Sequence, residues 1–148
     1  MKNFSKILLL FILTNTLVFC TTNSNKKEKI EKETKIKMSF DKQEIIVKIF
    51  DNKTSKDFLE QLPLTLEFED FAGAEKIAYP NKKLTIDKSS SVGETSDFCY
   101  YAPWGNLAVF YKGYGNDGGL VKMGIIESGK EKLIKIQNGS KVKIEVLK

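Results

Sequence analysis

The sequence predicts a mainly β domain, a small barrel or sandwich carrying one or two short helices. Three observations lead there. Apolar residues alternate with polar ones in seven or more short runs, the period that a half-buried strand imposes. Turn signals built on Gly, Pro, Asn and Asp separate those runs. Two stretches, "SKDFLEQ" and "KEKLIKI", space their apolar residues as a helix does, and both are short. At 148 residues, 41% hydrophobic and 29% charged, the chain has an ordinary globular balance and room for one domain.

That domain is shorter than the chain. Residues 1–20, "MKNFSKILLLFILTNTLVFC", run from Lys2 and Lys6 through an apolar stretch to Cys20, the order of a secretory signal. The apolar run falls short of the roughly 20 residues that cross a bilayer, so export is expected rather than a single-span anchor. Its end, Leu17-Val18-Phe19-Cys20, resembles the lipobox of bacterial lipoproteins, although Phe19 stands where that motif has a small residue. The resemblance implies lipid attachment at Cys20 and a place in the cell envelope. No small-x-small site precedes residue 21, which favours the lipobox over an ordinary cleaved signal. Residues 21–37 read as a lysine-rich linker that holds a domain over 38–148 away from an anionic membrane.

Charge follows the same division. Up to residue 37 the chain has eight lysines and three acids, and from residue 38 it has sixteen of each, so the net +5 resides in leader and linker. A nucleic-acid binder carries positive charge on its folded surface. No nucleic-acid partner is therefore expected, and a membrane is met through the N-terminal lipid alone.

Within the domain, "KIKMSF" and "QEIIVKIF" are two β-rich runs separated by Asp41-Lys42, a hairpin signal. Thr54, three residues before Asp57, reads as the N-cap of a helix over 55–61, which Pro63 ends. "LTLEFE" alternates as a half-buried strand, with Glu67, Glu69 and Asp70 on or beside its solvated face. "KIAYP" and "LTI" read as short extended pieces, and "DKSSSVGETS" as a polar loop.

Next come "DFCYYA" and "NLAVFYK", flanking Ala102-Pro103-Trp104-Gly105, which places proline second and glycine fourth in a type I turn. Phe98 and Tyr100 share one face while Cys99 and Tyr101 share the other; Leu107, Val109 and Tyr111 oppose Ala108 and Phe110. Both faces are apolar, so this hairpin is expected to be covered on both sides. A strand over 122–127, a turn at Ser128-Gly129, the helical "KEKLIKI", a turn at Asn138-Gly139 and a terminal strand "KVKIEVL" complete the chain.

"GYGNDG" spells the G-x-G-x-x-G of a dinucleotide-binding turn, but that turn works only where a helix begins at the glycines. Here "GLVKMGIIES" follows, without helical period, so the segment reads as a loop. The chain contains no histidine and no arginine, all 24 basic residues being lysine. That inventory removes Ser-His and Cys-His catalytic pairs, His-ligated zinc and arginine clamps. No cofactor and no metal are expected. Cys99, with lipid on Cys20, has no disulfide partner and sits in an apolar strand without a basic neighbour in sequence, so it reads as a buried hydrophobe.

The series "FLEQLPLTLEFEDFAGAEKIAYP" and "YYAPWGNLAVFYKGYGNDGGLVKMGIIESG" resembles a bacterial cyclophilin-like family over about residues 36–148, most strongly at Leu62-Pro63-Leu64-Thr65-Leu66 and Pro103-Trp104-Gly105-Asn106-Leu107. The resemblance implies a closed cyclophilin-like β-barrel, eight-stranded or similar, with a helix at each end. Cyclophilins isomerise X-Pro bonds with an arginine beside an aromatic and aliphatic pocket, and that arginine carries over to no position here. No catalytic residue is assigned. The expected function is binding of a peptide or small apolar ligand, on Tyr79, Tyr100, Trp104, Phe110 and Tyr114, with Asn116 supplying a polar contact. Two alternatives stand beside it: a diverged peptidyl-prolyl isomerase that desolvates the proline amide, and a structural envelope lipoprotein acting through protein contacts.

Overall fold

The computed structural model describes residues 33–86, 92–116 and 118–148. The signal-like segment, Cys20 and most of the linker lie outside the described residues, as do 87–91 and Asp117. β1 (Thr34–Phe40) and β2 (Gln43–Ile49) form the first hairpin, in register from Thr34 opposite Ile49 to Phe40 opposite Gln43. Asp41 and Lys42, at φ 41° and 59°, make its two-residue turn, both left-handed as the twist of a tight hairpin requires. β1 begins inside the stretch read as linker, because Ile36 is already a buried residue of the core.

There follow α1 (Lys53–Leu59), β3 (Leu64–Phe71), β4 (Glu75–Ala78), β5 (Val92–Gly93), β6 (Asp97–Tyr101), β7 (Asn106–Phe110), β8 (Tyr114–Asn116), β9 (Leu120–Ser128), a 3-10 helix over Lys130–Lys135, and β10 (Ser140–Val146). Eight strands close into an antiparallel barrel in the order β1-β10-β3-β4-β7-β6-β9-β2, while β5 and β8 pair separately as a two-stranded ribbon. Closure satisfies every edge, which the isolated hairpins could not do. Inward residues of the alternating strands, such as Ile36, Val47, Phe68, Phe98 and Val142, are fully buried and fill the interior.

Each barrel mouth has a plug. α1 follows the end of β2 and inserts Phe58 against Phe98, the ring centroids 5.5 Å apart. At the other end of β2, Lys132 Nζ donates to Glu44 O at 3.1 Å and the 3-10 helix buries Leu133. Gly129 opens this helix at φ 82°, where an added Cβ would lie 2.7 Å from Glu44 O.

Several local expectations are corrected. The N-cap of α1 is Asn52, whose Oδ1 accepts from Ser55 N at 2.8 Å; Thr54 lies inside the helix. Thr54 Oγ1 instead donates to Thr85 O at 2.7 Å, and Asp57 Oδ2 accepts from Thr85 N at 2.8 Å, so the two residues read as a cap clasp the segment after β4. "LTI" is consequently not a strand: the Leu84 and Thr85 amides donate to Tyr100 Oη and Asp57 rather than to a ladder. The polar loop contains β5, whose Gly93 pairs with Tyr114 of β8. Tyr114–Asn116 of "GYGNDG", expected to be loop, form β8, and among the described residues no helix begins there, β9 being the next element.

Candidate functional site

The site lies on the outer wall of the barrel, where β6 and β7 bury both faces. Phe98, Tyr100, Leu107 and Val109 point inward. The alternate residues Cys99, Ala108 and Phe110 point outward yet are buried too, in a second apolar cluster with Leu120 of β9 and the partly buried Tyr101. β5 supplies part of the cover: a Cβ at Gly93 would lie 2.6 Å from Phe110 Cζ, so only glycine lets the ribbon approach. Ser96 N donates to Phe110 O at 2.9 Å and fixes the same approach.

Beside this cover the wall opens into a pocket of about 220 Å³ lined by Phe71, Glu75, Tyr101, Trp104, Asn106, Phe110 and Leu120. Trp104, in the β6–β7 turn, is 50% exposed. Its ring stands edge-on to Phe71 (centroids 5.3 Å, 88°) and to Tyr101 (5.5 Å, 79°). The turn is held from two sides, by Gly105 N donating to Tyr101 O at 2.8 Å and Ala102 N donating to Gly119 O at 2.9 Å. At Gly119 a Cβ would meet Pro103 Cδ at 2.5 Å, so close packing fixes the turn against the start of β9.

Phe71 is positioned by the β3–β4 turn, where Asp70 is a hub. Asp70 Oδ1 accepts from Gly73 N at 3.1 Å, while Oδ2 accepts from Lys76 Nζ and from the Tyr111 hydroxyl, each at 2.6 Å. The Lys76 ammonium first, and the Tyr111 hydroxyl second, hold the Asp70 carboxyl below its ordinary range. Burial, reinforced by the hydrogen bond to Asp70, pushes the Tyr111 phenol up to about 12. Asp70 is thus tied into a network beyond the solvated strand face that the sequence suggested.

Two polar side chains line the pocket. Glu75, 8% exposed, sits opposite Phe110 in the β4–β7 register. Asn106, 1% exposed, donates from Nδ2 to Leu107 O at 2.9 Å, and its Oδ1 has no hydrogen-bond partner. A buried carbonyl oxygen without a donor costs about 1–3 kcal/mol.

Of the residues the sequence singled out, the structure brings Trp104 and Phe110 together. Tyr100 lies on the opposite side of the wall, inside the barrel, where its hydroxyl accepts from Leu84 N at 3.2 Å; it is a core residue. Tyr79, exposed just after β4, does not line the pocket. The backbones of Tyr114 and Asn116 belong to β8, and their side chains lie outside the described part of the structure. Phe71, Glu75, Tyr101, Asn106 and Leu120 are additions from the structure. Alternation alone signals Tyr101, on the parity of Cys99, and Asn106, on that of Phe110.

Cys99 is buried, and its thiol is pushed up to about 12, first by burial and then by the Asp97 charge, with Lys122 only partly offsetting. Iodoacetamide at pH 8 is expected to leave Cys99 unmodified in the folded chain and to alkylate it in denaturant, read by mass spectrometry of the Cys99 peptide. Rapid native labelling would show that the outer cluster opens.

Fold and site together define a closed eight-stranded barrel with a recess of about 220 Å³ on its outer wall. The chain belongs to the cyclophilin-like family, whose model matches residues 38–145. It is also similar in fold to the hypothetical protein AF2241 from Archaeoglobus fulgidus, with a TM-score of 0.63 and 17% identity over 76% of this chain and 94% of that one. No curated protein matches the chain.

Proposed function

We propose that the domain is a binding module that takes a peptide side chain or a small apolar ligand in the outer-wall pocket. The observation that carries this reading is the recess itself: Trp104, Phe71 and Tyr101 form the walls over a floor of buried Phe110 and Leu120. Aromatics that hold exposed area around a preformed apolar floor suit a ligand site. The chain has no arginine to stabilise a twisted prolyl amide, which argues for binding without cyclophilin-type catalysis. The signal-like leader and lipobox-like Cys20 support an exported domain tethered to a membrane of the cell envelope.

The test is NMR exchange spectroscopy on the full chain with an alanyl-prolyl peptide and, separately, cyclopentanol. The expected result is ligand-dependent shifts of the Trp104 indole N–H and of the 101–106 amides, without cis–trans exchange peaks. Exchange peaks at catalytic protein concentration would replace binding by isomerisation. Silence towards both ligands would remove the reading.

A further inference from the structure

Exposed apolar residues gather at one end of the barrel. Neighbouring strands run antiparallel throughout, so one rim is formed by the starts of β1, β3, β7 and β9 and the ends of β2, β4, β6 and β10. The register fixes which residues meet there. Ile36 lies opposite Val146, and Leu147 N donates to Lys35 O at 2.9 Å, which seats Val146 and Leu147 beside the start of β1. Ala78 lies opposite Leu107, which brings Tyr79, the next residue after β4, to the β6–β7 turn that carries Trp104. All four side chains are exposed along the arc β10-β3-β4-β7. Ile86, exposed too, follows Thr85, which α1 holds at this same end. Of the large hydrophobics exposed among the described residues, only Ile125, on β9, and Ile134, on the 3-10 helix of the opposite mouth, lie elsewhere.

The charges divide in the same way. Outward from β9, β2, β1 and β10 the wall is covered by ion pairs, Lys35 with Glu127, Lys37 with Glu44 and Glu145, and Lys143 with Glu145. That wall is built for water. On the rim, residues 79–86, 102–105 and 146–148 carry Lys82, Lys83 and Lys148 and no acid. Lys82 and Lys83 form no ion pair among the described residues. The Lys83 stem passes the Trp104 turn, since a Cβ added at Gly105 would lie 3.6 Å from Lys83 Cε. Tryptophan and tyrosine beside aliphatic residues, with lysines whose stems reach past them, make up the residue set of a membrane–water interface.

The chain also leaves the barrel here. β1 begins at Thr34, so thirteen residues, 21–33, separate it from Cys20 and span at most about 45 Å. A lipid on Cys20 therefore tethers the domain by the rim that carries these residues. Tethering raises the local concentration of lipid surface, so contacts that are weak singly suffice. A second copy docked rim to rim would instead set lysines against lysines.

We propose that this rim is a membrane-contact surface, on which Trp104, Tyr79, Ile86, Val146 and Leu147 enter the headgroup region while Lys82 and Lys83 meet anionic headgroups. The proposal rests on the tethered reading above and goes beyond it, from attachment through lipid alone to contact by the folded domain.

The full chain is reconstituted into vesicles of phosphatidylcholine and phosphatidylglycerol, and into matched vesicles whose phosphatidylcholine is brominated near the top of its acyl chains. Flotation reads the tether. Trp104, the one tryptophan of the chain, reads the contact, and brominated lipid is expected to quench it by about half. Lysine acetylation, followed by mass spectrometry and normalised to the denatured chain, is expected to be about threefold or more slower at Lys82 and Lys83 than at Lys130 and Lys135 on the opposite mouth. Lys82→Glu combined with Lys83→Glu, at exposed positions, is expected to remove about half or more of the quenching and to leave flotation unchanged.

A chain that floats with Trp104 unquenched, or with all four lysines equally reactive, would overturn the contact surface and keep the tether. Trp104 emission that shifts with protein concentration but not with bromine would give the rim to a second copy. Quenching that survives the double substitution unchanged would overturn the role of the lysines. A chain that stays behind when the vesicles float would remove tether and contact surface together.

Discussion

Phe58→Ala is expected to destabilise the domain by about 4 kcal/mol, the middle of the range for deleting a buried phenylalanine side chain. Phe58 is fully buried and stacks at a tilt on Phe98, deep in the barrel mouth. The helix that carries it has seven residues. Isolated helices shorter than about 12–15 residues are marginal in water, so α1 exists because its plug is seated. Its polar clasps work from the same seat: Ser55 Oγ donates to Met123 O at 3.1 Å and Asn52 Nδ2 donates to Lys122 O at 3.0 Å. Removing the ring should therefore leave a cavity at the mouth and loosen bonds that depend on the helix. Urea denaturation measures the loss, and Phe58→Leu, which keeps most of the volume, is expected to cost well under half as much. A loss below about 1 kcal/mol for the alanine variant would mean that α1 unfolds apart from the barrel.

The barrel strands are legible because one wall face is packed and the other is wet. Leu64, Leu66 and Phe68 alternate with Thr65, Glu67 and Glu69 for that reason, and their burial alternates with them. The closure order is not legible: β9 lies between β2 and β6, and β10 between β1 and β3, through contacts that no local pattern encodes. The cap of α1 shows a tie broken by tertiary structure. Asn52 and Thr54 are both good N-cap residues, and Thr85 decides between them by engaging the Thr54 hydroxyl.

The site was half legible for a similar reason. Aromatic clustering points to Trp104 and Phe110, yet it also suggests Tyr100, which the register forbids. With Tyr100 opposite Leu107 and Cys99 opposite Ala108, Tyr100 must share the inward face and Phe110 the outward one. Phe71, Glu75 and Leu120 reach the pocket only through strands brought alongside by closure, so their roles wait on the fold.

Lys122→Met is expected to cost about 3 kcal/mol, the low end for removing one partner of a buried ion pair. Asp97, at the start of β6, is 1% exposed; its Oδ2 accepts from Glu94 N at 2.9 Å and its Oδ1 lies 2.6 Å from Lys122 Nζ. Without the lysine a carboxylate stays buried with its charge unmatched. The lower end applies because the Lys122 side chain is 29% exposed and water reaches one side of the pair. The hydrogen bond to Asp97 raises the lysine above its ordinary value. A raised pKa means that the contribution is complete below the ordinary lysine range and is lost as pH rises through the folded value. The difference between wild type and variant should therefore be flat across neutral pH and shrink only in strong alkali. Adding Asp97→Asn to Lys122→Met removes the stranded charge and is expected to restore much of the loss, a coupling that a double-mutant cycle in urea measures. Asp97 and Glu94 anchor the segment whose Ser96 amide bonds Phe110, so the single variant should also speed alkylation of Cys99 beneath that cover. A single-variant loss below about 1 kcal/mol would place the pair among solvated surface bridges, and the cover over the pocket floor would then rest on Gly93 and the apolar cluster alone.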